Sequence, residues 1–260
     1  MSAGSPPVED HPDSKTASPT VRRVLESAAQ LQRVVPNAVL VGGAAAAIYA
    51  HHRDAFVHDH VLPDLEDRYL QVLEAVEATD GWVTNVSASS PPLTILGQLG
   101  GIEAGLRQLR RRRPLETQEV RLDDKYTLRV PTASETLRVK AYLVVQRNQV
   151  RDYLDVVALA DRYGVDASAA VLASIDDYYV DRSQTSDSVL TALVERLSAP
   201  APRDERVTRQ LKRYRRLDPR WHDWATVVAA CQNLADALLR GSSTSEPQLS
   251  QRRGELVGPG

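Results

Sequence analysis

The sequence has little cysteine, methionine or phenylalanine, with one residue of each type among 260. The lone cysteine, Cys231, excludes an intramolecular disulfide and a zinc site built on several cysteines. No apolar run is long enough to span a bilayer, and the N-terminal stretch lacks the apolar core of a signal peptide. A net charge of −2 provides no overall field that attracts nucleic acid. We therefore expect a soluble, cytoplasmic protein without a membrane partner.

The composition is that of an ordinary globular protein, with 42% hydrophobic and 25% charged residues. Residues 1–18 are rich in proline, serine and acidic residues, and residues 241–260 are similar, so both are predicted to be disordered tails. Between them we predict an α/β domain over 19–133 and a helical domain over 134–240. The fold class predicted is α+β, with a mixed sheet and flanking helices in the first half.

The first half of the chain alternates strand and helix patterns. "NAVLVGG" predicts a short buried strand that ends in two glycines, and "AAAAIYAHH" a helix of small residues from about residue 44. "AFVHDHVL" predicts a second strand, in which Val57 and Asp59 share a face. Hairpins are predicted at Gly100-Gly101 and at Asp123-Asp124. From Ser134 onward five successive helical patterns follow.

Four histidines lie close together in the sequence, at positions 51, 52, 58 and 60. His58 and His60 alternate along a strand and so share a face, as ligands of a zinc ion often do. No cysteine lies nearby, and no histidine pair has the helical spacing of a zinc motif. Surface or structural roles are the alternative for all four.

The pair Gly42-Gly43 stands between a strand and a helix. Backbone N–H groups at a helix N-terminus attract anions, and glycines allow a phosphate to approach closely. The pair matches neither a Walker loop nor the dinucleotide fingerprint. A purely conformational role for these glycines is the alternative.

Several stretches together resemble the AbiEii-type nucleotidyltransferase toxins of bacterial toxin–antitoxin and phage-defence pairs. They are "VGGAAAAIYAHHR", "HDHVLPDLEDRY", "GIEAGLRQLRRRRPLET", "LRVPTASETLRVKAYLVVQRN" and "VRDYLDVVALADRYG", and the resemblance covers about residues 20–240. It implies a nucleotidyltransferase fold that transfers a nucleotide from an NTP, with Mg²⁺, to an RNA, most often the acceptor end of tRNA. It also implies a cognate antitoxin or repressor as partner.

The resemblance carries functional residues onto this chain. Asp59 falls at a metal-ligand position, Lys140 at the phosphate-binding cation, and Asp152 and Asp155 at carboxylates that accept a proton or support the metal. The catalytic set implied is thus Asp59, Lys140, Asp152 and Asp155, and the nucleotide-binding set Gly42, Gly43, Arg53 and Lys140. Without the resemblance, Lys140 reads as a surface lysine and the two late aspartates as helix N-terminal residues.

The sequence departs from this motif at two positions. Val57 stands where the first metal-ligand aspartate is expected, and Ala55 where a serine is expected. A two-metal clamp would lose a shared ligand, which Asp54 or Asp64 could replace only from another strand face or after a bend. Three functions therefore stay open: an active nucleotidyltransferase toxin that modifies RNA, an inactive NTP- or RNA-binding pseudo-enzyme, and an antitoxin-binding protein of the same fold.

A run of arginines is the predicted RNA-binding patch, since backbone phosphates are bound by clustered positive charge. It consists of Arg107, Arg110, Arg111, Arg112 and Arg113. No aromatic residue interleaves it, so base stacking is not indicated there. A solvated loop is the alternative. A second basic stretch, "YRRLDPRWHDW", lies later in the chain.

Overall fold

The computed structural model describes residues 17–111, 113–180 and 188–243, with side chains as far as Gly241. The predicted tails lie outside the described residues, except that Ala17 and Ser18 lead into the first helix and the last helix continues through Ser243. The helices are α1 (Pro19–Val34), α2 (Gly42–Ala50), α3 (Tyr69–Glu77), α4 (Ala133–Arg147), α5 (Val150–Tyr163), α6 (Val165–Leu172), α7 (Val189–Ser198) and α8 (Trp224–Ser243). The strands are β1 (Val39–Val41), β2 (His58–Leu62), β3 (Trp82–Thr84), β4 (Thr94–Leu99), β5 (Ile102–Gln108), β6 (Thr117–Arg121) and β7 (Thr127–Pro131).

Five of the strands form a mixed sheet in the order β1-β2-β5-β4-β3, and β6 and β7 form a separate hairpin. The central pair, β2 and β5, is parallel, whereas the other neighbours are antiparallel. Parallel strands need a long crossover between them, and here α3, β3 and β4 intervene in the chain. This topology places β2, which follows α2, beside β5, although the two strands are far apart in the sequence.

Local signals in the sequence explain where the helices begin and end. The Ser18 side chain accepts a hydrogen bond from the Val21 backbone N–H, which caps α1. Thr132 caps α4 in the same way by accepting from Glu135. Asn148, in the left-handed conformation, ends α4 and turns the chain into α5.

Two hydrophobic clusters fill the interior. The smaller one packs α1 and α3 against one face of the sheet, through residues such as Leu62, Ile95 and Leu106. The larger cluster joins α1, α2, the β6–β7 hairpin and helices α4 to α8, so it includes residues on both sides of position 133. The domain boundary placed at that position stays a prediction.

The predicted α+β class is confirmed, with a mixed sheet and helices in the first half and helices in the second. Two boundaries differ from the sequence prediction. Helix α2 begins at Gly42 rather than near residue 44, and the φ of +75° at Gly42, which glycine adopts readily, turns the chain from β1 into the helix. Val57 precedes β2 instead of lying in it, since pairing with β5 begins at His58.

His58 and His60 lie on the buried face of β2, beside Leu62. The His58 Nε2 is 3.1 Å from the Ser27 hydroxyl of α1, whereas the His60 ring has no side-chain partner among the described residues and meets only the Gly105 backbone. Burial lowers the pKa of His58 to about 4 and lowers that of His60 well below 6.5. Both rings therefore serve as neutral core groups at neutral pH.

This burial predicts acid sensitivity. Between pH 6.5 and about 4 the unfolded chain binds protons that folded His58 does not, so the free energy of unfolding falls as the pH falls through that window. A shift of this size corresponds to roughly 3 kcal/mol. We expect His58→Leu with His60→Leu to flatten the pH dependence of urea unfolding between pH 7 and 4. Leu62→Val, a core change on the same face without a titrating group, should lower stability equally at every pH. If the free energy of unfolding of the double variant depended on pH as steeply as that of the natural protein, the prediction would be wrong.

Candidate functional site

Asp59 lies on the open face of the sheet, next to the glycine turn. A Cβ built on Gly42 would lie 3.4 Å from Asp59 Oδ2, and one on Gly105 only 2.7 Å from Asp59 Oδ1. Gly105 is the residue opposite Asp59 in the β2–β5 register, so its missing side chain leaves room for the carboxylate. The structure thus brings Asp59 and the N-terminus of α2 together, as the sequence analysis anticipated.

A cleft of about 880 Å³ opens over this carboxylate. Its floor is the face of β2, β5 and β4, and its wall is the segment that follows β3. Arg107, two residues beyond Gly105 on β5, places its Nε 3.3 Å from Asp59 Oδ1. The cleft is lined on the floor by Val57, Asp59, Leu96, Gln98, Glu103, Gly105 and Arg107, and on the wall by residues 83–88.

Glu103 is a cleft carboxylate that the sequence analysis missed. The parallel register pairs His58 with Ala104, so one further step places Val57 opposite Glu103. Glu103, Gly105 and Arg107 alternate along β5 and share the face of Asp59. Their alternation is visible in the sequence, but the pairing of β5 with β2 is not, and that pairing is what brings Glu103 into the cleft.

Behind the glycine turn, Asp155 is the centre of a buried ion cluster. Its Oδ1 accepts from His52 Nε2 at 2.7 Å and from Arg53 Nε at 2.8 Å. Its Oδ2 accepts from Arg53 Nη2 at 2.9 Å and lies 2.6 Å from Lys140 Nζ. All four side chains are buried. Burial alone would raise the pKa of Asp155, but Arg53, Lys140 and His52 together hold it well below its usual range.

Lys140 and Arg53, two predicted nucleotide-binding residues, both pair with Asp155 in this cluster. Lys140 is 3% exposed and its ammonium is paired with Asp155 rather than with Asp59. Arg53 is also held by Asp155, although its guanidinium lies directly behind the turn, where a Cβ on Gly43 would come within 2.9 Å of Nη2. Arg53 therefore supports the turn from inside.

Asp152 lies three residues before Asp155 on α5 and has the opposite environment. It is fully buried, and neither carboxylate oxygen has a hydrogen-bond partner among the described residues. Burial raises its pKa, Asp155 adds to this, and the charges of Lys140, Arg147 and Arg151 offset part of it. Arg147 interacts electrostatically with both Asp152 and Asp59.

The arginine run does not form one patch. Arg107 pairs with Asp59, Arg111 is buried in an ion pair with Glu135, and Arg113 pairs with Asp177. Arg110 is exposed, and Arg112 lies outside the described residues. RNA binding by these residues stays a prediction.

The described residues do not fit the magnesium pair that the resemblance implies. No group of three His, Cys, Asp or Glu side chains among them is arranged to hold a metal ion. The Asp59 carboxylate is paired with the Arg107 guanidinium, and the Val57 side chain has no atom that can bind a metal ion. Neither Asp54 nor Asp64 replaces it, because Asp54 is buried against Ser18 and Asp64 is paired with Arg68.

No family model matches the chain. The heme uptake protein MmpL11 of Mycobacterium tuberculosis is 33% identical over 194 residues, which are 72% of this chain and 20% of that protein. The mycolic acid-containing lipids exporter MmpL11 of Mycolicibacterium smegmatis is 38% identical over 129 residues, 50% of this chain and 13% of that protein. The chain thus spans about a fifth or less of the length of the curated relatives it matches. No helix among the described residues has the length and apolarity needed to cross a bilayer.

Two crystal structures from Helicobacter pylori are similar to this chain. One, a protein provisionally named as a nucleotidyltransferase, has a TM-score of 0.49 at 13% identity and covers 88% of this chain and 97% of its own. The other, JHP933, has a TM-score of 0.46 at 14% identity with the same coverage. Both scores are below 0.5, so the likeness is too distant to assign an activity.

The contrast between the two aspartates of α5 predicts opposite effects on stability. Asp155→Asn leaves buried cations without their counter-charge, so we expect a loss of about 3–5 kcal/mol in the free energy of unfolding. Asp152→Asn removes a buried carboxylate with no hydrogen-bond partner, so at pH 7 we expect stability to be unchanged or higher. Urea unfolding at pH 7 measures both. Equal losses in the two variants would show that Asp152 is paired as firmly as Asp155.

Proposed function

We propose that the chain is a degenerate nucleotidyltransferase of the AbiEii type that binds an NTP in the cleft and transfers its nucleotide slowly or not at all. One observation carries the proposal, which is the approach of the Asp59 carboxylate to the Gly42-Gly43 turn at the N-terminus of α2. A triphosphate seated at that turn has its reacting end beside Asp59. The sequence resemblance supports the same reading.

In this proposal the backbone N–H groups at the start of α2 bind phosphate oxygens, because they have no partner within the helix. Arg53 stiffens the turn from behind and adds positive charge that is already balanced by Asp155. Arg107 is exposed enough to leave Asp59 and contact a phosphate, since its side chain is 41% accessible.

Asp152 is the proposed proton acceptor, a role that requires its side chain to become exposed, because it is fully buried and does not line the cleft. A carboxylate whose pKa is raised by burial is a stronger base than an exposed one, and Asp152 has the raised pKa whereas Asp155 does not. Asp155 cannot take that role while it accepts from His52 and Arg53. An RNA hydroxyl is the proposed acceptor, with tRNA as the first substrate to test. A cognate antitoxin is the proposed protein partner.

Magnesium, when bound, would stabilise the charge of the phosphates during transfer. Because the described residues do not fit a metal pair, binding and transfer should separate in this protein. Phosphate contacts at the glycine turn need no second carboxylate. We therefore expect the protein to bind NTP even though its rate of nucleotide transfer is low.

Substitution of the turn glycine tests the NTP site. Gly42→Ala places a methyl group against Asp59 at a φ of +75°, so we expect NTP binding to weaken at least about 10-fold. Gly101→Ala is the matched control, because Gly101 has a φ of +79° but open space around it in the β4–β5 turn. Binding of fluorescent ATP and GTP analogues measures the difference. Equal weakening in both variants would place the NTP elsewhere.

Restoring the missing carboxylate tests the cause of slow transfer. Val57→Asp puts a second carboxylate at the edge of the cleft, so we expect tighter Mg²⁺ binding and about 10–100-fold faster transfer from labelled NTP to total tRNA. Val61→Asp, on β2 two residues beyond Asp59 and outside the cleft lining, is the control. Full transfer by the natural sequence, with no gain from Val57→Asp, would show that Val57 is not the vacant ligand position.

A second candidate function rests on the relatives rather than on the cleft. The 33% identity over 194 residues to a heme uptake protein favours, as the second candidate, a role coupled to transport. That role predicts saturable hemin binding, seen as a shifted Soret band when hemin is titrated into the protein. The nucleotidyltransferase proposal predicts instead that this protein binds hemin no better than a control protein without a heme site, such as lysozyme.

A further inference from the structure

The segment of residues 203–216 concentrates positive charge in a chain whose net charge is −2. It holds seven basic residues against Asp204 and Glu205. We call it the basic segment. Most of it is a 3-10 helix, Glu205–Arg213, held to the core by buried Leu211 and partly buried Val207.

The basic side chains face solvent. Arg206, Arg209 and Lys212 follow each other at intervals of three and are all exposed. In a 3-10 helix, residues three apart eclipse one another with a rise of about 6 Å, although a kink at Gln210 bends this row. Among the described residues only Arg209 of the three has an ion pair, a 3.4 Å contact with exposed Glu205. The row is therefore available to a polyanion.

Both ends of the basic segment are fixed to the candidate site. At its start, the Arg203 backbone N–H donates to the Asn148 carbonyl at 2.8 Å, and the Asp204 carboxylate accepts from the Val150 N–H at the beginning of α5. At its end, the Asp54 N–H donates to the Arg215 carbonyl at 2.8 Å. Arg215 has a φ of +47°, an unusual value for a residue with a side chain. The segment thus spans from the helix of Asp152 to the loop that leads to Asp59.

An exposed aromatic ring stands where the basic segment meets the cleft. Phe56, the only phenylalanine in the chain, is 46% exposed and directly precedes Val57 of the cleft floor. The Arg215 guanidinium lies over its ring, 5.6 Å from the centroid. A half-exposed ring with a guanidinium beside it is the pair of groups on which unpaired bases stack.

We propose that the basic segment and Phe56 bind the single-stranded end of an RNA, with its phosphates along Arg206, Arg209 and Lys212 and its terminal base on Phe56. This rests on the proposed function, for which it supplies the acceptor path to the cleft. An anionic membrane is the weaker fit, because the apolar residues of the segment, Val207 and Leu211, pack inward and leave nothing to insert into lipid.

The test measures RNA binding without any NTP, so that it is independent of nucleotide binding and transfer. A labelled single-stranded 12-mer RNA is titrated with the natural protein, with Arg206→Ser/Arg209→Ser/Lys212→Ser and with Phe56→Leu. We expect the triple variant to weaken binding at least about 10-fold and to reduce the slope of log K against log salt by about 2. Phe56→Leu should weaken binding about 5-fold or more while keeping the salt slope.

The control Arg23→Ser/Arg121→Ser/Lys125→Ser removes the same charge from α1 and the β6–β7 hairpin and should leave the affinity unchanged. Thermal unfolding by circular dichroism confirms that each variant folds. Equal losses in both triple variants, no RNA binding by the natural protein, or preferential binding of phosphatidylglycerol vesicles would overturn the proposal. RNA binding that is lost only in the segment variants supports it even where Gly42→Ala shows no NTP site.

Discussion

The buried carboxylate of Asp155 is the contact on which the candidate site depends. It links His52 and Arg53, at the end of α2, to Lys140 on α4 and to its own helix, α5. Removing these charges from water costs several kcal/mol per ion, and the network recovers this only with every partner in place. The cluster therefore fixes the path of the loop between α2 and β2. That path sets where β2 begins and where Asp59 faces the glycine turn.

The same cluster separates two aspartates that look equivalent in the sequence. Asp152 and Asp155 stand three apart on one helix, and a motif assigns either of them a catalytic role. Asp155 meets cations from two other elements, which satisfies its oxygens and lowers its pKa. Asp152 meets no hydrogen-bond donor in the part of the chain that the structure describes, and burial raises its pKa. A buried carboxylate without a hydrogen-bond partner costs stability, so Asp152 is a candidate for a functional rather than a structural role.

The sequence predicted what short-range chemistry determines. Apolar periodicity located the helices, Gly100-Gly101 and Asp123-Asp124 marked the two hairpins, and the strand–glycine–helix pattern placed α2 after β1. It could not predict contacts that depend on strand order. Glu103 enters the cleft only because β5 pairs in parallel with β2. Arg111 is buried apart from the other arginines of the run because it pairs with Glu135, 24 residues later in the sequence. Distant pairings of this kind depend on the whole fold and have no local pattern.

These distinctions change which residues bear on activity. The buried ion cluster stabilises the fold, and it consists of His52, Arg53, Lys140 and Asp155. An active transferase and an inactive protein of this fold would therefore both need these four residues. The cleft residues differ, because the fold does not need them. Asp59 is partly exposed, and its one ion pair among the described residues is with half-exposed Arg107. Val57 is not part of the buried core, so an aspartate there would not disturb it. A loss of metal binding would remove a ligand at the cleft and leave the cluster intact. That is the combination of residues found in this chain.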